Sequence, residues 1–240
     1  MACSPTSRTS RSPISAAASL PVPDLTLVIG NRNYSSWSLR PWILIQHLGL
    51  SCREVRIVLD TPTFAAEVAR YSPTRRVPVL IDGDLTVWES VAILEYLSEL
   101  GGGRGWPADA AARAVARAAT AEMHGGFTAL RNEYPMNIRA RGRRVPMTAP
   151  LAACIRRLDE LWSDCRRRFG AGGPWLFGAY SAADAMYLPV AFRFNTYGGE
   201  GLGPVARAYV ATAVADPLAA PWVRAAGEET ETIEREEFGR

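Results

Sequence analysis

The sequence predicts an α/β unit followed by an all-helical unit. Three observations carry this. Short β-branched runs alternate with helical spacing up to residue 100. A glycine-rich linker, Gly101-Gly102-Gly103-Arg104-Gly105, follows. Strand signals then almost vanish from Ala108 onward. At 240 residues the chain has room for one large domain or two small ones.

Leu25–Ile29 is an apolar, β-branched run closed by Gly30, which reads as a first strand. From Ser36 to Leu48 the apolar residues Trp42, Ile45 and Leu48 recur at three-residue steps, the period of a helix face. Pro41 falls in or just beyond its first turn, where proline is tolerated, and Gly49 is placed to end it. Residues 54–58 alternate polar and apolar as a half-buried second strand, and residues 62–71 give a short helix. Residues 77–81 and 85–87 form a hairpin around Asp82-Gly83-Asp84, and residues 89–100 an amphipathic helix. The order β-α-β-α-β-β-α over residues 24–100 is a thioredoxin-like layout, a small mixed sheet covered by helices. Beyond the linker at 101–107, helical spacing marks residues 110–131, 151–169, 182–194, 204–214 and 217–226. The helical domain spans 108–230, and the charged end at 231–240 is expected to fray.

Composition narrows the function. The hydrophobic fraction is 48% and the charged fraction 21%, as in ordinary globular proteins. No apolar run reaches the roughly 18 residues of a spanning helix, so no membrane role is expected. All 27 basic residues are arginine, which removes lysine as a Schiff-base or general-base candidate. The 24 acidic residues offset them, so no nucleic-acid partner is expected. Cys3, Cys52, Cys154 and Cys165 show no C-x-x-C spacing, which argues against a zinc site or a disulfide framework. Residues 1–23 are rich in serine, contain Arg8 and Arg11, and lack any acid. This is the composition of an organellar transit peptide and equally of a plain disordered tail. The protein is accordingly expected in the cytoplasm, or in an organelle if that segment is a leader.

Three short motifs carry the chemistry. In Tyr34-Ser35-Ser36-Trp37-Ser38-Leu39-Arg40, hydroxyls crowd the start of a helix, where free N–H groups and the dipole favour an anion. Simple N-capping by Ser35 or Ser36 is the plainer reading. In Arg76-Val77-Pro78, a cis bond would free the Val77 backbone to pair with an extended peptide, whereas a trans bond makes an ordinary turn. Glu89-Ser90 opens a helix and offers a carboxylate for an ammonium group and a hydroxyl for a carboxylate, or else merely caps the helix.

Over residues 24–230 these motifs, in this order, resemble the cytosolic glutathione transferase superfamily. Tyr34 to Arg40 is similar to the zeta-class signature S-S-C-S-x-R, with Trp37 in the cysteine slot. Ser181-Ala182-Ala183-Asp184 fits the family's S/T-x-x-D capping box. The resemblance implies a cis-proline at Pro78, glutathione as co-substrate, a small electrophilic second substrate, detoxification chemistry and a homodimer. It implies Ser35 as the thiol-activating hydroxyl with Ser36 as the alternative. Val77 would pair with the cysteinyl backbone, Glu89 and Ser90 would hold the γ-glutamyl end, and Arg75 or Arg76 would meet the glycyl carboxylate. Trp37 and Pro41-Trp42 depart from the zeta pattern, which leaves conjugation, isomerisation and reduction open. Asn137 and Arg139 are candidates for receiving an acidic co-substrate. The rival reading is a non-catalytic module of the same fold, used for dimerisation or assembly.

Overall fold

The computed structural model describes residues 24–239; the candidate leader at 1–23 lies outside the described residues. The chain forms β1 (Leu25–Ile29), α1 (Ser36–Leu48), β2 (Cys52–Arg56), α2 (Phe64–Val68), β3 (Val79–Asp82), β4 (Leu85–Trp88) and α3 (Ser90–Leu100). Six helices follow: α4 (Ala110–Gly125), α5 (Thr128–Glu133), α6 (Ala149–Phe169), α7 (Ala182–Tyr197), α8 (Pro204–Val214) and α9 (Ala220–Glu228). The strand order is β2-β1-β3-β4, with β1 parallel to β2 and the other pairs antiparallel.

The interior strand β1 is buried along its whole length, as a strand covered on both faces must be. Leu25, Leu27 and Ile29 join the main core with α1 and α3. Val28 points the other way, into a small cluster with Ile57, Val68 and Val79. The main core runs without a break into the helical half, through α1 packed against α7. Helix α7 is apolar almost all round, the pattern of a helix enclosed on every side.

The capping box expected at Ser181 is present. Asp184 accepts from the Ser181 N–H and hydroxyl, both at 2.9 Å, and from the Leu176 N–H at 3.0 Å. It thereby ties the preceding turn to the first turn of α7.

Other expectations need correction. The single helix over 110–131 is two, because Gly126 is extended and Phe127 left-handed (φ 56°). A side chain at Gly126 would lie 2.6 Å from the Glu122 carbonyl, so the break needs glycine. The second strand starts at Cys52, and the ladder of the third begins at Val79, leaving Val77 outside it. The last helix begins at Ala220 rather than 217. The end expected to fray instead folds back as a strap. Glu229 accepts from the N–H groups of Arg32 (2.7 Å) and Asn33 (3.0 Å). Ile233 is buried, and Glu237 accepts from the Tyr34 hydroxyl at 2.7 Å and the Asn137 amide at 2.8 Å.

Asp184→Ala orphans three buried donors and is expected to cost about 3 kcal/mol in chemical denaturation, at roughly 1 kcal/mol per donor. Burial raises the Asp184 carboxyl from 3.8 to about 6, against the pull of its hydrogen bonds. A raised folded-state value means that ionisation opposes folding, so this group's contribution falls as pH rises through that interval. The deficit of the variant is therefore expected to shrink between about pH 4 and pH 6.

Candidate active site

The loop Gly30–Ser35 delivers the chain from β1 to α1, and its two ends are tied by side chains. Ser35 donates to Ser38 Oγ at 2.7 Å, and that oxygen accepts from the Gly30 N–H at 3.1 Å. Ser35 occupies the N-cap position, yet its hydroxyl bonds no helix N–H. The plain capping reading of Ser35 therefore fails. Ser36 Oγ accepts from Arg193 Nη2 at 3.2 Å, a contact reaching from α1 across to α7.

The Val77-Pro78 bond is cis. Val77 lies outside the ladder of β3. Glu89 is not inside the helix but caps it, with φ 67°, a backbone region sparsely used by side-chain-bearing residues and common at ligand clamps. Ser90 begins α3. Its hydroxyl is buried and makes no hydrogen bond with the protein.

Two adjoining recesses bring these motifs together. The first, about 340 Å3, is lined by Trp37, Thr74, Arg76, Val77, Pro78, Glu89, Ser90 and His124. The second, about 480 Å3, is lined by Ser35, Ser36, Arg75, Arg131, Arg193 and Glu236, among others. Trp37, Arg76 and Val77 belong to both, so the recesses form one divided cleft. All seven sequence-predicted residues, Ser35, Ser36, Arg76, Val77, Pro78, Glu89 and Ser90, line it.

Trp37 lines both recesses, a role its place in a signature slot did not reveal. The Arg40 guanidinium stacks 3.9 Å from its ring centroid and Arg131 lies 5.4 Å away, while His124 meets it edge-on. His124 sits 3.6 Å from the Glu89 carboxylate. Burial, the largest influence, nevertheless lowers its pKa, against the pull of Glu89.

Arg40 and Arg193 are buried without a carboxylate partner among the described residues. Arg40 donates from Nε to the Met186 carbonyl at 3.2 Å, and both its Nη atoms lack partners. Arg193 donates from Nε to the Tyr134 carbonyl at 2.7 Å, and its Nη1 lacks a partner. Burial pushes the Arg193 guanidinium down to about 10 and holds Arg40 well below its usual value, with mutual repulsion adding to the latter. Arg131 donates to the last carbonyls of α4, those of Met123 and His124. Positive charge is thus concentrated at the start of α1, where the helix dipole already favours an anion. Sequence reasoning missed Arg193 because it stands inside an apolar run.

Asn137 and Arg139 are not free for a co-substrate. The acid they receive is the chain's own strap: Asn137 bonds Glu237, and Arg139 bonds the carbonyls of Glu229 and Glu231. Among the described residues no group of His, Cys, Asp and Glu could hold a metal ion, and no helix is long and apolar enough to cross a membrane.

Residues 34–100 match the family described as Glutathione S-transferase, N-terminal domain. Dichloromethane dehalogenase of Methylophilus leisingeri is 67% identical over 30 residues, 12% of this chain and 11% of that protein. The dehalogenase of Methylorubrum extorquens is 56% identical over 36 residues, 15% of this chain and 12% of that protein. The chain therefore spans about a ninth of these relatives. A glutathione transferase homolog from Burkholderia GL BGR1, with bound glutathione, superposes with a TM-score of 0.63 at 23% identity, over 87% of this chain and 100% of that one. The tau-class enzyme MiGSTU of mango, Mangifera indica, gives 0.65 at 18% identity, over 85% and 96%. The chain has the glutathione transferase fold and resembles that superfamily.

A buried guanidinium without a counter-ion opposes folding. Arg40→Met is expected to raise unfolding stability by about 1–4 kcal/mol, read from the shift in urea midpoint at constant slope.

Proposed function

We propose that this protein is a glutathione-dependent enzyme that activates the thiol with a serine hydroxyl for attack on, isomerisation of or reduction of a small electrophile. The observation that carries this reading is the convergence of three motifs on one divided cleft: hydroxyls at the start of α1, a cis Val77-Pro78 outside the ladder, and Glu89-Ser90 at the start of α3.

The first recess suits the tripeptide, and its volume lies within the ~300–1,000 Å3 usual for ligand sites. The buried Ser90 hydroxyl, unpartnered in the protein, and the α3 dipole would hold the γ-glutamyl carboxylate. Glu89 would take the α-ammonium group. The Val77 peptide would pair with the cysteinyl backbone, as in strand-like peptide docking. Arg76 or Arg75 would meet the glycyl carboxylate. This arrangement points the thiol toward Trp37 and the start of α1.

Two hydroxyls stand there. Ser35 directs its proton to Ser38. Ser36 accepts from Arg193 and so keeps its own O–H to give, polarised by the adjacent cation. The hydrogen-bond roles thus favour Ser36, whereas the family pattern places Ser35 first. Lowering a thiol pKa by about two units requires roughly 3 kcal/mol of differential interaction. A charge-assisted hydroxyl bond of roughly 1.5–3 kcal/mol and a helix dipole of about 0.3–1 kcal/mol supply that amount.

The test is retention on immobilised glutathione together with ultraviolet titration of the bound thiol. Ser36→Ala is expected to be retained but to raise the bound thiol pKa by about one to two units, the loss of one charge-assisted bond. Ser35→Ala is expected to raise it less. Failure of the wild-type protein to bind glutathione would sink the proposal, and a larger effect at Ser35 would return the role to that residue.

A further inference from the structure

The second recess has a one-sided chemistry that tripeptide binding does not use. Arg193 and Arg131 line this recess and not the first, so the glycyl carboxylate assigned to Arg76 or Arg75 leaves them unengaged. Arg193 is 3% exposed and its Nη1 has no partner, although the rest of its guanidinium is fixed by Tyr134 and Ser36. A donor held this rigidly and left unsatisfied is costly unless a ligand completes it. Leu59 and Phe64 give the same recess an apolar side.

We propose that the second recess takes its substrate as an organic anion, a small electrophile bearing a carboxylate on an apolar body. The unpartnered Nη1 of Arg193 offers a charged donor to one carboxylate oxygen, and half-buried Arg131, lining the same recess, adds positive charge. The apolar side selects an organic rather than an inorganic anion. Glu236, on the strap, is the one acid among the described lining residues. It brings a competing negative charge into the recess, close enough for Arg193 to influence it. The inference rests on the glutathione reading for the attacking thiolate, though not for anion binding itself.

The probes are 4-(chloromethyl)benzoate and its uncharged counterpart, 4-(chloromethyl)benzamide. With either, the thiolate sulfur forms a bond to the benzylic carbon, the C–Cl bond breaks, chloride leaves and the thiol proton passes to solvent. The wild-type protein is expected to show a kcat/KM ratio of acid to amide of about ten or more, the worth of one desolvated charge contact. Arg131→Gln, and independently the exposed Arg75→Gln, are expected to lower this ratio, the former by about tenfold. Glu236→Gln is expected to raise it. A wild-type ratio near one, or a ratio that none of the three variants moves, overturns the inference while leaving glutathione binding intact. If neither probe reacts and glutathione does not bind, the functional reading fails instead. Calorimetry with 4-methylbenzoate and 4-methylbenzamide then decides the inference: preference for the acid that weakens in Arg131→Gln supports it, and equal binding overturns it.

Discussion

Everything at the cleft depends on the immobility of one helix. Ten of the thirteen residues of α1 are buried, because it packs against α7, α3 and β1. Polar contacts add to this packing. Trp42 Nε1 donates to Glu54 at 2.7 Å, and His47 lies 2.7 Å from Asp216. A helix enclosed in this way cannot rotate without emptying the core on two sides, and close-packed interiors resist such movement. The hydroxyls at its first turn are therefore held in place by residues far from them. Helix α7 is in turn fixed at its start by Asp184, which links the preceding turn to its first residues. The capping carboxylate, the enclosed helix and the α1 serines form a continuous chain of support.

The electrostatics follow from the same burial. In water three arginines near one tryptophan would be unremarkable, since solvent screens them. Here Arg40 and Arg193 are enclosed, and their repulsion is not screened away. Such an arrangement works against the folded state. Trp37 lines both recesses and stacks on the Arg40 guanidinium, so its ring gives the cation a partial partner. Cysteine in that slot would offer no such face. The substitution that set the sequence apart from the zeta pattern is thus the residue that shapes the cleft.

The alternation of short apolar runs and helical periods was sufficient to order the elements, because β1 and α1 are governed by burial patterns that a linear reading detects. The motifs Ser35-Ser36, Val77-Pro78 and Glu89-Ser90 were also legible, since each couples a turn residue to a nearby polar group. The break at Gly126 was less so: alanine-rich periodicity continues on both sides, and the steric reason is a close approach to the Glu122 carbonyl visible in three dimensions. Arg193 was missed and Asn137 misread for a related reason. Their partners, Ser36 and Glu237, lie 157 and 100 residues away, beyond any local pattern. Charge at the end of the chain looked solvated because its basic partners, Arg56, Arg139 and Arg143, were spread over earlier segments.

The strap has a consequence for the order in which the protein assembles. Tyr34 and Glu237 stand 203 positions apart, and Asn33 and Glu229 stand 196 apart. Contacts of such separation form only after most of the loop-closure entropy has been spent, so they belong to the late side of the folding barrier. The sheet and α1 can gather from neighbouring segments, whereas the loop that presents the serines gains its final hydrogen bonds when the chain closes on itself. An isolated α/β half would lack that closure and would uncover the side of α1 that packs on α7. Structural maturity of the loop leading into α1 is thereby made conditional on completion of the helical half.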